Sequence, residues 1–498
     1  MKNLLTATEH RRFDFIELLV KRKSWVDLSE VAVELACSER VLRNDLDYFK
    51  DLNHLFKISW SDYGIRIRLE PNVGMLTISQ KFIENSDYYS LLEHIFFSQN
   101  KTVMEIASEL YKSSATVYRM ISTINSIFNH YDIYIDTKPI RITGNELNIR
   151  YYFFNYFTSK YGLMYFPFTQ INDDVFDQLL KPFADHFNWK VGFSEMNNYK
   201  FGTAVNIIRY INGHLVDKSD NRKLRFDPLP AYEKRIAFLS ELESSLRIKI
   251  DEQFIEQIFY LYLDKNYILD HSTLKEQVST DANLSVKFVH LMIDFTVLQR
   301  GFNLELVNAS ELILNIMNSI YLAENKPFSD FILYDERKDF VEGVRQIAPS
   351  FLNHLEHYLM NDFKDYTAPL SRNNVNFLLY TIITHWENLI PQLLRQGNEI
   401  NIAVISHHSQ NYAQMISEFL SFELSENVSI ALYNELNPNM TTLLNESYDM
   451  IVTDFPARVQ LPRLIYIEDI PDNQDFKKIH MTIDRIIQGR KNNRADID

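Results

Sequence analysis

A stretch that occurs twice restricts the fold of this 498-residue chain more than any other feature. Its first copy runs from Asp27 to Leu69. Asp27 stands where it can accept hydrogen bonds from the first turn of a helix. Glu30, three residues on, is placed to complete a capping box. Val31, Ala32 and Leu35 give that helix one apolar side. After a break at Ala36-Cys37, Ser38 restarts a helix in which Leu42, Leu46, Phe49 and Leu52 or Asn53 keep the spacing of a buried face. The remainder, to Leu69, reads as a β-hairpin. Two short helices, a tight turn and a hairpin predict a winged helix-turn-helix.

The second copy repeats four features in order. Glu30-Val-Ala-x-Glu-Leu35 recurs as Glu105-Ile-Ala-x-Glu-Leu110, and the cap Asp27/Glu30 as Thr102/Glu105. Ser38-x-x-Val41-x-Arg43 is matched by Ser114-x-x-Val117-x-Arg119, one residue further along, and Ile65-Arg66-Ile67 by Ile140-Arg141-Ile142. In this second unit Val117, Ile121, Ile124 and Phe128 should point inward, with Arg119, Ser122 and Ser126 outward.

The outer face of each second helix carries the functional signal. Arg40, Arg43, Asn44, Asp47 and Lys50 fall opposite the apolar side of the first. Arg can bond guanine bidentately and Asn adenine, so this stripe suits a major-groove reader. Most charged stripes are merely solvated, and Asp45 and Asp47 oppose phosphate; the repetition is what favours DNA. The candidate contacts are Ser38, Arg40, Arg43, Asn44 and Lys50, with Ser114, Thr116, Arg119 and Ser122 in the second unit. Arg66, Arg68, Lys138 and Arg141 on the wings would meet phosphates.

The net charge of −15 argues against a DNA binder until its distribution is read. Residues 1–156 hold 19 Lys and Arg against 20 Asp and Glu, so the acidity lies almost wholly in the remainder. A near-neutral reading head on an acidic body predicts modest, salt-sensitive affinity, helped by self-association. The N-terminus lacks the apolar core of a secretory signal, and no apolar run reaches the roughly 18 residues of a membrane helix. The chain is expected to be cytoplasmic. Its single cysteine, Cys37, excludes an internal disulfide and a multi-cysteine metal site.

Further along, residues 8–23 and Tyr88–Ser98 form the lead helices of the two units. Asn145–Tyr161 predicts an aromatic helix packed against the next domain. From about Asn172 to Pro391 only long amphipathic helices occur, with polar breaks at Asp217–Pro230 and around His271–Leu284. After Glu399 four short β-branched runs (INIAVIS, VSIALYN, YDMIVTD, RLIYIED) alternate with helical stretches, which predicts a small parallel α/β sheet and then a frayed tail. The expected domains are 1–72, 73–170, 171–280, 281–396 and 397–498.

Two helix-turn-helix units, two helical blocks, a small α/β domain and the phrase ITGNELNIRYYFFNYF after the second wing together resemble the Mga/AtxA family of virulence regulators of Gram-positive bacteria. The resemblance covers essentially the whole chain. It implies that the helical blocks are phosphotransferase regulation domains (PRDs) controlled by histidine phosphorylation. It also implies that the terminal domain is EIIB-like and supports a homodimer or larger assembly. By placement, His214 and His385 resemble the regulatory positions; His186, His271, His290, His354 and His357 are rivals. The implied partners are double-stranded DNA, a second copy of the chain and phosphodonor proteins of the phosphotransferase system, with no membrane. Two other classes remain open: a PRD-containing RNA-binding antiterminator, and a phosphocarrier enzyme of the phosphotransferase system. The chain is not expected to be an enzyme. The α/β tail lacks the cysteine an EIIB places after its first strand, where Ser406-His407-His408 stand instead, so it should carry no phosphoryl-transfer chemistry. His354-x-x-His357 has a spacing that suits a metal but no third ligand near it. No metal or cofactor is expected, and a redox role for Cys37 is a minor alternative to packing.

Overall fold

The structure, a computed structural model, describes residues 4–98, 101–162, 165–171, 176, 180, 192–216, 243–244, 248–264, 266–324, 331–363, 370–395, 399–424, 428–433, 440–456, 461–468 and 470–495. The chain is mostly helical and divides into two compact units. One comprises Met1–Met292, Ser310–Glu342 and Glu356–Ile382; the other comprises Ile293–Ala309, Gly343–Leu355 and Ile383–Asp498.

In the first unit the repeated sequence becomes repeated structure. Helices α1 (Ala7–Arg22), α2 (Leu28–Glu34) and α3 (Glu39–Phe49) precede an antiparallel hairpin of β1 (Phe56–Ser61) and β2 (Gly64–Leu69). A helix not foreseen from the sequence, α4 (Met75–Asn85), intervenes. The plan then recurs as α5 (Asp87–Phe97), α6 (Val103–Glu109), α7 (Ser114–Phe128), β3 (Ile133–Thr137) and β4 (Ile140–Gly144).

The register between the copies is constant: Thr102, Ser113, Val117 and Ile140 each lie 75 positions after Asp27, Ser38, Leu42 and Ile65. Matching Ser38 to Ser114 is therefore one residue out. Ser113 caps α7, its hydroxyl accepting from the Thr116 amide at 3.1 Å, and Ser114 is the first helical residue. Each turn holds one residue in the left-handed region, Ala36 (φ 49°) or Tyr111 (φ 53°). The next amide closes back on the preceding helix, Cys37 N–H to Ala32 O at 2.9 Å and Lys112 N–H to Ala107 O at 2.8 Å.

The first caps differ between copies. Thr102 and Glu105 form a reciprocal box, but the Asp27 carboxylate takes the amide and hydroxyl of Ser29, at 2.7 and 2.6 Å. The box expected of Asp27 and Glu30 is not made, because Asp27 is satisfied one residue earlier. Each hairpin is stitched to the segment entering its first short helix. Val26 and Ile65 exchange both backbone bonds (2.9 and 2.8 Å), and Ile140 N–H donates to Lys101 O at 3.1 Å.

The aromatic stretch forms α8 (Glu146–Tyr161), where Ile149, Tyr152, Phe153, Tyr156 and Phe157 are fully buried. It packs on α4 and on α9 (Phe193–Ile211), and Phe96 meets Phe153 with ring centroids 4.4 Å apart. The helical region continues through α10 (Glu252–Leu263), α11 (His271–Thr280), α12 (Ala282–Gly301), α13 (Ala309–Glu324), α14 (Glu336–Ile347), α15 (Pro349–His357), α16 (Arg372–His385) and α17 (Leu389–Arg395).

The polar break expected around His271–Leu284 is helical instead. Asp270 caps α11 through the Thr273 amide (2.7 Å), and Asp281 accepts the Asn283 and Leu284 amides (2.9 and 3.1 Å) at the head of α12. The polar residues there mark two helix starts, not a loop. The break at 217–230 and His186 lie outside the described residues, as does most of 175–187 and 232–246 within the helical region expected from Asn172 to Pro391.

In the second unit Trp386 is buried between Phe295 and Phe351 and donates its indole N–H to Glu305 O at 2.8 Å. A four-stranded sheet follows: β5 (Ile400–Ile405), β6 (Val428–Leu432), β7 (Met450–Thr453) and β8 (Leu464–Tyr466), parallel and ordered β6-β5-β7-β8. Alternation along β5 sends Ile400, Ile402 and Val404 toward α18 (Gln410–Glu423) and α20 (Asn473–Ala495). Ala403 and Ile405 face α19 (Met440–Glu446). The tail expected to fray from Arg490 is helical to Ala495, and Arg490 donates to Glu399 O at 2.7 Å.

Candidate nucleic-acid interface

Helix α3 buries Leu42, Asp45, Leu46 and Phe49, which leaves Arg40, Arg43, Asn44, Asp47 and Lys50 exposed on the other side, with Ser38 exposed at its N-cap. Arg40 and Asn44 have no side-chain partner among the described residues. Lys50 is tied to Asp47 at 2.7 Å. Arg43 reaches Glu39 at 3.4 Å and lies 5.8 Å from the Trp60 ring of the hairpin. Strand β2 turns Ile65 and Ile67 inward and Arg66 and Arg68 outward.

The second unit presents less charge. Arg119 and Ser122 are exposed, but Ser114 and Thr116 are half-buried, and the Thr116 hydroxyl lies 2.8 Å from that of Ser113 in the helix cap. Arg141 projects from β4 and pairs with Asp136 at 3.1 Å, while Lys138 is exposed at the hairpin turn. Under the constant register Arg119 corresponds to Asn44, and the counterpart of Arg43 is Tyr118, which is 47% exposed. Tyr118 was missed because the slipped Ser-x-x-Val-x-Arg match concealed it; the fixed offset of the caps and hairpins would have found it. Trp60 and Tyr63, exposed on the first hairpin, were likewise not foreseen.

Asp45 does not oppose phosphate. It is 1% exposed and receives Arg11 Nε at 2.8 Å, Arg11 Nη2 at 3.2 Å and Arg12 Nε at 2.8 Å from the lead helix. Two guanidinium groups more than offset its charge, and Arg12 also lies 3.8 Å over the Tyr48 ring. Cys37 packs half-buried against the core, and burial pushes its thiol up, away from the reactive thiolate.

Behind the second hairpin is a buried charge network. Glu146, at the head of α8, accepts from Arg150 Nε (2.9 Å) and from Arg209 Nε and Nη2 (2.9 and 2.6 Å). Burial alone would raise its carboxyl, but Arg209, with Arg150, holds it below the usual carboxylate range. Arg209 also donates to Ile142 O in β4 at 3.2 Å, and Arg150 donates to His214 O at 3.0 Å and Gln257 O at 2.5 Å. His214 is half-buried just beyond α9. Burial, then the charge of Arg209, lowers its imidazole below the ordinary value, so the ring is neutral near pH 7. His385 is exposed at the end of α16, its Nδ1 3.1 Å from the Thr384 hydroxyl and its carbonyl accepting from Asn308 at 2.8 Å. Of the other histidines, His354 lies against Phe302 (ring centroids 5.6 Å) and His357 Nδ1 is 3.1 Å from Asn361.

Paired helix-turn-helix units joined to a large helical body define a transcriptional regulator that acts on DNA. Comparison with known proteins supplies the family. Residues 71–157 match the Mga helix-turn-helix domain, and residues 172–389 match the PRD domain of the M protein trans-acting positive regulator, MGA. A protein of Streptococcus pneumoniae serotype 4, assigned by name as a trans-acting regulator, is 30% identical over 94% of this chain and 96% of its own. The capsule synthesis positive regulator AcpB and the anthrax toxin expression trans-acting positive regulator, both of Bacillus anthracis, are each 20% identical over 95% of this chain and 98% of theirs. The chain belongs to the Mga family of trans-acting positive regulators, and it is a DNA-binding transcriptional regulator governed through PRD domains. Among the described residues no helix is long and apolar enough to cross a membrane.

Proposed function

We propose that both helix-turn-helix units are winged and read duplex DNA, α3 and α7 in the major groove and the hairpins on phosphates. We further propose that phosphotransferase donors phosphorylate His214 and His385, and that the C-terminal domain, read as EIIB-like, supports self-association. The observation that carries the His214 part of this reading is the unbroken hydrogen-bonded path from β4 through Arg209, Glu146 and Arg150 to the backbone carbonyl of His214. A phosphate adds about −1.5 to −2 charge. On His214 it would compete with Glu146 for the two arginines and so alter the hold on the second hairpin. For self-association, α18 leaves Met415 and Phe422 exposed, seven positions apart on one helix face.

Footprinting and electrophoretic mobility with duplex DNA, against a matched RNA hairpin, test the nucleic-acid reading. Arg43→Ala is expected to cost about 1–3 kcal/mol and to change sequence preference. Arg66→Ala/Arg68→Ala should weaken all sequences alike and flatten the salt slope by about one per lost contact. Unchanged duplex affinity in both variants, or tighter binding to the hairpin, would sink this placement.

A further inference from the structure

We infer that His407, His408 and Asp454 form a site for a divalent transition metal of the zinc type at the carboxyl end of the C-terminal sheet. One ligand atom from each of the three side chains lies within 4.8 Å of the others. The topology explains why they meet. In the order β6-β5-β7-β8 the chain leaves β5 toward β6 on one side and β7 toward β8 on the other, so a crevice opens between the carboxyl ends of β5 and β7. His407 and His408 follow β5, and Asp454 follows β7 directly.

Asp454 is the fixed member. It is 8% exposed; its Oδ2 accepts from the Ser406 hydroxyl at 2.5 Å and its Oδ1 from the His407 amide at 2.9 Å, with His407 Nδ1 at 3.0 Å. The two imidazoles are the adjustable members. Both are exposed, with ring centroids 3.8 Å apart. Nitrogen and oxygen ligands about 2.0–2.2 Å from zinc sit roughly 3.3–3.5 Å from one another in a tetrahedron. Closing the set from its present spacing requires rotation of exposed rings, not movement of the sheet. Two imidazoles and one carboxylate suit zinc, cobalt or nickel and not the oxygen-seeking calcium or magnesium. Three ligands leave a fourth position on the exposed side for water or another donor. Neither this site nor its loop spacing is visible in the chain order, since Asp454 lies 47 residues from His407.

The test is titration of the full-length protein, first stripped with a chelator, with Co²⁺ and then Zn²⁺. One equivalent should bind per chain, with the visible absorption of tetrahedral cobalt and a rise in melting temperature on loading. His408→Gln should weaken binding about tenfold or more, and His407→Gln/His408→Gln should abolish it. His408 touches Asp454 through no side-chain hydrogen bond, so its replacement spares the loop; matching circular dichroism and melting of the metal-free variant and wild type will verify this. Absence of saturable binding by wild type, or wild-type binding by the double variant, would overturn the assignment. Binding abolished by His354→Ala/His357→Ala instead would overturn it by locating the metal elsewhere.

Discussion

Two guanidinium groups from α1 converge on Asp45, and this contact decides whether α3 can face a polyanion. The carboxylate is buried against Arg11 and Arg12, each about one-fifth exposed. Breaking a buried pair by removing its cations leaves an uncompensated charge, which is costlier than the pair was stabilising. Arg11→Ala/Arg12→Ala is therefore expected to destabilise the first helix-turn-helix by about 3–5 kcal/mol. Adding Asp45→Asn on that background should recover part of the loss. Chemical denaturation of the full chain measures both, and a double alanine variant as stable as wild type would show that the pair holds nothing. The position of Asp45 at i−1 to Leu46 was legible in the sequence, but its partners were not, because they lie 33 and 34 residues away.

At the scale of elements, each hairpin keeps its place by backbone contact with the segment before its short helices. Gly64 stands at that crossing with φ +108°, and a Cβ there would meet Val26 O at 2.1 Å. The clash is with backbone, so neither a rotamer nor a small shift relieves it. Gly64→Ala is expected to cost about 1–3 kcal/mol and to weaken DNA binding with it, since Arg66 and Arg68 follow on the same strand. Gly343→Ala, in the middle of α14 with nothing within 4 Å, should be neutral or slightly stabilising. Equal melting temperatures for the two variants would contradict this account. The helices and hairpins themselves were legible from apolar spacing and caps. Helix α4 lies outside the expected elements, and the polar run at His271–Leu284 reads as a break in the sequence because Asp270 and Asp281 are equally good loop residues and helix caps.

At the scale of the whole molecule, the regulator must convert a signal in its PRD region into a change at DNA. In the first unit the charge network centred on Glu146 touches the second hairpin, α8, α9 and α10 together. Incubation with phosphotransferase donor proteins is expected to label His214 and His385, and to leave residues 406–408 unlabelled. His214→Asp and His385→Asp should change promoter activity more than affinity for short duplexes. Mass spectrometry of the labelled chain checks the sites; phosphate on neither histidine would refute the assignment while leaving the family intact.

The sequence by itself determined the repeated helix-turn-helix plan, the mostly helical body and the parallel terminal sheet. Each rests on short-range periodicity and capping, which neighbours along the chain dictate. It also carried the family resemblance that the comparisons bear out. Only the tertiary structure decided that Asp45 is neutralised from α1. It alone joined Glu146 to Arg150 and Arg209, and His407 and His408 to Asp454. The physical reason is the same in each case. Charges and ligands act across space over a few ångströms, and the packing of distant segments, which no local pattern encodes, sets which of them come that close.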